Sequence, residues 1–309
     1  MSSQVTTRPQ AEREVIPAPP QRRARRRTNA TPYLLLAPAA IFLVVFFAWP
    51  MMQALLLAVR TGTGAWTTQY FRQMITDVQF ARAIRNTLLL IVTLVPLQMV
   101  LALVMALLLN SNLRGKSFFL YAWAIPLAIS DLAAGIVWLA IFADRGYLNS
   151  MLVSWGLSDT LFNFLSYEHP VSMFVAVMLA ETWRATWIVM VILVAGLQVI
   201  PKEYSEAAEV FGATRWQRLR HVTLPLLRPS LQVALILRTI LAFQVFAVVI
   251  ALTGRNLPVL ASEAYNWYNG YNNPNVAAAY ALLILLFSVV NTFVYLRALR
   301  IRDEEVGIA

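Results

Sequence analysis

The 309-residue sequence has no cysteine, only two histidines (His169 and His221), and 13% charged residues. Without cysteine there are no disulfides, thiolate nucleophiles or cysteine-ligated metals. Both histidines fall in polar connecting segments, which argues against a histidine metal site or a catalytic triad. No metal or cofactor is expected. Soluble globular chains are about a quarter charged and about half apolar. Here 59% of residues are apolar, more hydrocarbon than a fold of this length can hide from water, so the surplus must face lipid. The net charge of +10 is therefore weighed against membrane topology before any polyanionic partner.

Six apolar stretches reach the roughly 20 residues that a membrane-crossing helix needs. They are expected at about 33–59, 87–109, 118–142, 171–199, 231–252 and 276–296. The first follows Arg22, Arg23, Arg25, Arg26 and Arg27. It far exceeds the roughly 7–15 residues of a signal-peptide core and ends in no small-x-small cleavage site, so it reads as a retained anchor. The tail to Thr31 carries seven basic residues, the 110–117 loop two, the 200–229 loop five and the C-terminal end from Arg297 three. The other three connections share six. The positive-inside rule then places both termini in the cytoplasm of a multi-pass cell-membrane protein. The arginine cluster reads as a topology determinant that touches anionic lipid. Nucleic-acid binding lacks a folded reader, because residues 1–31 are rich in Pro, Arg, Ser and Thr and have no apolar period.

The 200–229 connection is too ordered for a passive linker. Glu203, Glu206 and Glu209 recur every third residue, and acidic groups suit a helix start. Gly212 supplies the backbone freedom of a sharp turn. Thr214 and Gln217 then fit a capping box for a second helix with Arg215, Arg218 and Arg220, which Pro225 is expected to stop. Two short helices make a rigid charged knob, with Tyr204, Phe211 and Trp216 available to fill a groove. A rigid knob can pass a partner's motion into the spans on either side. The bland reading is an amphipathic piece lying on the membrane.

Glu206-Ala207-Ala208, three residues, Gly212, nine residues, then Val222-x-Leu224-Pro225 resembles the EAA motif of ABC importer permeases, E-A-A-x3-G-x9-I-x-L-P, with Val222 in place of Ile. Phe211 stands where many sugar permeases have Asp before the glycine. Asn112-Leu-Arg-Gly-Lys-Ser-Phe-Phe, Trp123-Ala-Ile-Pro126, Trp138, Gly146-x-Leu-Asn149, Leu224-Pro-Leu-Leu-Arg-Pro229, Arg238-Thr-Ile and Leu252-Thr-Gly254 are similar to the sugar-importer branch, the MalF/UgpA type. The usual Gly-Gly-Pro after that Leu-Thr is broken to Gly254-Arg-Asn-Leu-Pro258. The resemblance covers about residues 32–300, and its details point to trehalose-importing permeases of mycobacterial type.

The resemblance implies an all-α integral membrane protein with six transmembrane helices and the type I ABC importer permease fold. The tail 1–31 precedes a permease domain over 32–309 whose core spans about 82–297. In that family the Gly-centred helix pair is a cytoplasmic coupling helix docked in an ATP-binding subunit. The role is implied here for Glu206, Ala207, Ala208, Gly212, Trp216, Arg218, Leu224 and Pro225. The implied partners are a second permease, a pair of ATP-binding subunits, an extracytoplasmic substrate-binding lipoprotein and a carbohydrate of disaccharide size.

Gly115-Lys116-Ser117 imitates the end of a phosphate loop, but Asn110 stands where its first glycine belongs, and the segment joins two membrane helices. ATP hydrolysis is therefore expected from another polypeptide. Asp131, Glu181, Arg184 and Arg238 fall inside spans, where each unpaired charge costs about 2.5–3.5 kcal/mol. Asp131 and Arg184 are expected near mid-span, and Glu181 and Arg184 share a helix face. Two acids and two bases can neutralise one another as interhelical glue. They can also border a path for a neutral polyol, with Trp183, Trp187, Arg238, Gln244 and Asn291 as donors, acceptors and aromatic faces. Tyr265-Asn-Trp-Tyr-Asn-Gly-Tyr-Asn-Asn-Pro274 suits either an interfacial aromatic belt or carbohydrate stacking. An ion-gradient secondary transporter is the alternative, but no internal repeat supports it. A membrane enzyme would have only Asp/Glu chemistry, and no paired motif presents itself.

Overall fold

The structure, a computed structural model, describes residues 31–111 and 114–298. The arginine cluster at 22–27, Asn112 and the charges beyond Ala298 lie outside the described residues. The chain divides into two compact units, Met1–Pro50 and Met51–Ala309. In chain order the helices are α1 (Thr31–Leu43), α2 (Trp49–Val59), α3 (Gln69–Ile75), α4 (Phe80–Asn110), α5 (Lys116–Ala124), α6 (Asp131–Phe142) and α7 (Tyr147–Ser154). They continue with α8 (Pro170–Val199), α9 (Lys202–Val210), α10 (Arg215–Arg218), α11 (Leu224–Phe243), α12 (Ala247–Thr253), α13 (Leu260–Tyr265) and α14 (Pro274–Ala298). Among the described residues the sole β pairing is a lone antiparallel bridge between Arg60 and Trp66.

Six segments are long and apolar enough to cross a bilayer: Leu34–Val59, Phe80–Asn110, Asp131–Ser154, Pro170–Val199, Arg215–Phe243 and Pro274–Ala298. Within the second unit, α4 and α8 form the most extensive helix pair, and α8 also meets α6, α11 and α12. The buried face of α4 recurs every three to four residues through Ala83, Thr87, Leu90, Leu94, Gln98, Ala102, Ala106 and Leu109. That is the spacing of one helix face. Lipid tails are as apolar as leucine, so close packing of small residues must hold such helices together. Gly196 of α8 is one example, because a β-carbon there would collide with Ser230 of α11. At Gly135 of α6 a β-carbon would come 2.5 Å from that of Ala251 in α12.

Three boundaries differ from those expected. The stretch 118–142 is not one helix. A 3₁₀ turn at Ile125–Ala128 and extended backbone at Ile129 and Ser130 separate α5 from α6. Pro126 lacks an N–H, and the Ser130 hydroxyl accepts from the Ala133 N–H at 3.2 Å, so one helix ends and another is capped. Asp131 is accordingly the first residue of α6, where the helix dipole favours a carboxylate, and not a mid-helix residue. The stretch 231–252 is likewise divided, at Gln244–Phe246.

Pro225 does not stop the second helix of the knob. Residues Leu219–Thr223 form a π turn in which the Leu224 N–H reaches the Leu219 carbonyl. The helix continues through it from Arg215 to Phe243. The wider turn falls where proline removes a donor, so the chain bends its hydrogen-bond register without breaking.

Gly146 and Asn149 close the α6–α7 corner. A β-carbon at Gly146 would lie 2.7–2.8 Å from the carbonyl oxygens of Ala140, Ile141 and Ala143. The buried Asn149 amide donates to the Asp144 and Phe162 carbonyls at 3.0 and 2.8 Å, and its oxygen accepts from the Phe162 N–H at 3.1 Å. Asn149→Ala strands those backbone groups and is expected to cost about 1–3 kcal/mol. Thermal unfolding of the detergent-solubilised chain reads this directly, and an unchanged midpoint would refute the assignment.

Candidate functional site

Two features stand out, one outside the bundle and one inside it. Outside, α9 and α10 form a tight pair between α8 and α11. Glu203 lies in the first turn of α9. At its end Gly212 has φ +79°, the left-handed conformation that a β-carbon disfavours. The Ala213 N–H bonds the Ala208 carbonyl at 3.0 Å, and the Gly212 N–H bonds the Glu209 carbonyl at 2.9 Å. This is the Schellman pattern that satisfies a helix's last carbonyls. Thr214 and Gln217 then make both bonds of a capping box. Arg218 reaches back across the turn to Glu209 at 2.7 Å. The pair is partly solvated, so it fixes geometry more than it adds stability.

The knob keeps its apolar side chains outward. Phe211 is 89% exposed and Trp216 66% exposed, with Tyr204 and Val210 also exposed. Glu206 and Ala207 are exposed, whereas Ala208, Leu224 and Pro225 are half-buried. Nothing lies within 4 Å of where a Gly212 β-carbon would stand. The turn is therefore open on its outer side.

Inside the bundle, Glu181 of α8 is fully buried and shares its carboxylate between two arginines. Arg184 binds it in two-pronged fashion, Nε at 3.1 Å and Nη2 at 3.0 Å. Arg238 of α11 approaches with Nη2 at 3.4 Å. Arg184 also holds Asp131 at 2.7 Å. Gln98 of α4 completes the ladder: its amide nitrogen donates to the Glu181 backbone carbonyl at 2.8 Å, and its oxygen accepts from Arg238 Nε. Two acids and two bases cancel. Breaking such a buried pair leaves an uncompensated charge, which costs far more than the intact pair contributes. Sequence reasoning did not single out Gln98. The available signal was a lone amide in the apolar run Leu-Val-Pro-Leu-Gln98-Met-Val.

A cavity of about 160 Å³ opens on this ladder, lined by Asp131, Arg184, Trp187, Arg238 and Gln244 among others. Asp131 starts α6 and Gln244 begins the break after α11, so both helix interruptions meet here. In membrane proteins irregular backbone at this depth is tolerated where it lines a cavity, and broken helices commonly frame substrate sites. Arg238 Nη1 is buried without a partner among the described residues.

Of the five residues expected along a path, Trp187, Arg238 and Gln244 line this cavity. Trp183 packs edge-to-face on Trp138 at 6.2 Å. Asn291 lies on α14 outside the cavity lining, its amide nitrogen buried and unpartnered among the described residues. The Tyr265–Pro274 segment is mostly helical, with a π turn at Asn266–Gly270. Two of its rings are already engaged: Trp267 Nε1 donates to Asp77 at 2.8 Å, and the Tyr271 hydroxyl accepts from Arg255 at 2.8 Å.

Six helical segments long enough and apolar enough to span a bilayer, with an exposed elbow between the fourth and fifth, are the pattern of a membrane permease. Residues 98–301 match the family of binding-protein-dependent transport system inner membrane components, and the chain belongs to it. The protein is thus the membrane-spanning permease of an ABC importer and not an enzyme. Among similar proteins is the trehalose/maltose transport system permease protein MalF of Thermococcus litoralis, 34% identical over 68% of this chain and 71% of its own length. The trehalose transport system permease protein SugA of Mycobacterium tuberculosis is 28% identical over 85% of this chain and 86% of its own. The fold is similar to a chain in the crystal structure of a bacterial ABC transporter that imports the acidic polysaccharide alginate. The TM-score is 0.73 at 23% identity, over 87% of this chain and 95% of that one. Family membership leaves the ion-gradient alternative without support.

Glu263 of α13 forms a separate polar site. It is 2% exposed; Asn266 donates to Oε1 at 3.3 Å, and Oε2 is unpartnered among the described residues. Burial raises the carboxyl above its ordinary range, against the opposing Asn266 bond. The folded pKa then exceeds the unfolded one. The stabilisation from the neutral acid is complete below the ordinary carboxylate range and is lost as pH rises through the folded value. Glu263→Gln removes that slope, so its melting temperature should fall less than the parent's between about pH 5 and about pH 8. Parallel pH profiles would contradict this.

Proposed function

We propose that this permease imports a neutral carbohydrate of disaccharide size, with trehalose as the candidate, powered by ATP hydrolysis in separate subunits docked on the α9–α10 knob. The observation that carries the reading is the unbroken helix from Arg215 to Phe243. It joins the exposed knob to the ladder and its cavity. From Trp216 to Arg238 is 22 residues, about 33 Å of continuous helix. Movement of Trp216 in a partner's groove is thereby delivered to Arg238 and Gln244 as rigid-body motion.

In this reading Glu206, Ala207, Ala208, Gly212, Trp216, Arg218, Leu224 and Pro225 make up the coupling element. Phe211 and Trp216 supply its apolar anchors, and the knob and both termini face the cytoplasm, as the basic residues in those segments favour. A second permease closes the path, since a cavity of about 160 Å³ is smaller than the roughly 300 Å³ or more of typical ligand pockets. Asp131 is exposed on the open side. An extracytoplasmic binding protein delivers the sugar. The spans then alternate between outward- and inward-open arrangements around the cavity. A sugar is favoured by the names of the two relatives above and by the cavity itself, where a tryptophan face, an amide and a balanced set of charges meet.

Two experiments test this in vesicles containing the permease with its co-purified ATP-binding subunits. Gly212→Trp places a large ring at a left-handed backbone position on the docking surface. It is expected to leave the membrane content unchanged and the ATPase active while reducing sugar uptake by at least about tenfold, a coupling loss of ~1.4 kcal/mol. Normal uptake would count heavily against a coupling role. Asp131→Asn leaves the ladder with one net positive charge. The uptake ratio of a sugar acid over the neutral sugar should rise on the order of tenfold. An unchanged ratio would remove Asp131 from the path.

A further inference from the structure

A second cavity within the second unit, larger than the one on the ladder, lies at the opposite end of α8 from the knob. It has a volume of about 780 Å³ and is bounded by the start of α4, the approach to α8 and the loop at Asn256–Pro258. Arg82 and Arg85 stand on its α4 side, three residues apart and so on one helix face. Neither has a hydrogen-bond or ion-pair partner among the described residues. Glu168, on the approach to α8, also lines the cavity and keeps its carboxylate unpartnered among them. The remaining walls are largely hydrocarbon, including Leu89, Val171, Phe174 and Leu257. Leu89 and Val171 are 47% and 74% exposed.

We propose that this cavity binds a zwitterionic phospholipid headgroup of the phosphoethanolamine class, with its phosphate on Arg82 and Arg85 and its ammonium on Glu168. Two guanidinium groups on one helix face match the oxygens of a phosphodiester. The Glu168 carboxylate accepts from the ammonium. An anionic glycerol headgroup satisfies the arginines but leaves Glu168 unpaired. Leu89 and Val171, exposed beside these charges, give the acyl chains an apolar track. Tyr167, at the rim, is the aromatic type that settles at a membrane interface.

The site is distinct from the transport cavity. The two share no lining residue, and Phe174 is ten residues from Arg184, about 15 Å along α8. A bound lipid would brace α4 against α8, the most extensive helix pair of the bundle.

The test is native mass spectrometry of the full chain in detergent, supplied with equimolar phosphatidylethanolamine and phosphatidylglycerol. The chain is expected to retain phosphatidylethanolamine about fivefold over phosphatidylglycerol, the worth of one charge near a membrane surface. Arg82→Gln with Arg85→Gln should lower retention of both lipids by more than about tenfold. Glu168→Gln should keep total retention and bring the ratio near one, a readout that misfolding does not produce. Millimolar soluble phosphoethanolamine should displace the lipid, whereas inorganic phosphate should not. Equal retention by parent and double variant, or a preference for phosphatidylglycerol in the parent, overturns the proposal. It also fails if the double variant keeps its lipid but no longer captures the purified substrate-binding protein, because the face would then be a protein-docking surface. Displacement by inorganic phosphate equal to that by phosphoethanolamine assigns the pocket to free phosphate and likewise overturns it.

Discussion

A single carboxylate in hydrocarbon organises the bundle. Glu181 is almost wholly excluded from solvent, and at that depth an unpaired charge is untenable. It binds Arg184 on its own helix and Arg238 on α11, Gln98 of α4 grips its backbone and Arg238 together, and Arg184 carries the chain of charges to Asp131 at the head of α6. Four helices are thereby fixed to one point. Displacing any of them strands a charge in a medium that offers no substitute partner, so the set moves together or in discrete steps, not by gradual slippage.

Under the proposed coupling role, that constraint gives the continuous α10–α11 helix its significance. A lever is useful only if its far end is held by something that responds. Arg238 is that far end, gripped by Glu181 and Gln98, and the helix interruptions at Ile129–Ser130 and Gln244–Phe246 lie beside it. Small residues let the bundle's helices approach closely, Gly196 of α8 against Ser230 of α11 and Gly135 of α6 against Ala251 of α12. Its backbone is interrupted where the ladder meets the cavity. Rigid helices joined at irregular points are a common means of turning motion at one membrane face into rearrangement at mid-depth.

Much of this was legible in the residues. The spacing of Glu206, Gly212, Thr214 and Gln217 announced a short helix, a sharp turn and a capped second helix start, because each rests on local backbone chemistry within a few residues. Neutralisation of Asp131, Glu181, Arg184 and Arg238 followed from the cost of charge in lipid. The break at Gln244–Phe246 was not legible, since it contains neither proline nor glycine and is imposed by neighbouring helices. The continuity through Pro225 was hidden for the opposite reason. Proline signals an ending, and only the surrounding π turn lets the helix pass.

The sequence by itself determined that this chain lives in a membrane, how many times it crosses, and that an ordered elbow follows the fourth crossing. Apolar runs, capping residues and a glycine at a turn act locally or in bulk, so their consequences can be read without coordinates. Tertiary structure decided which charges meet. It placed Gln98 of α4 between Glu181 and Arg238, set Asp131 at a helix start and turned Trp183 away from the cavity that Trp187 lines. Those choices depend on how distant helices rotate and approach one another, and side-chain volumes at the interfaces fix this only when all the helices are packed at once.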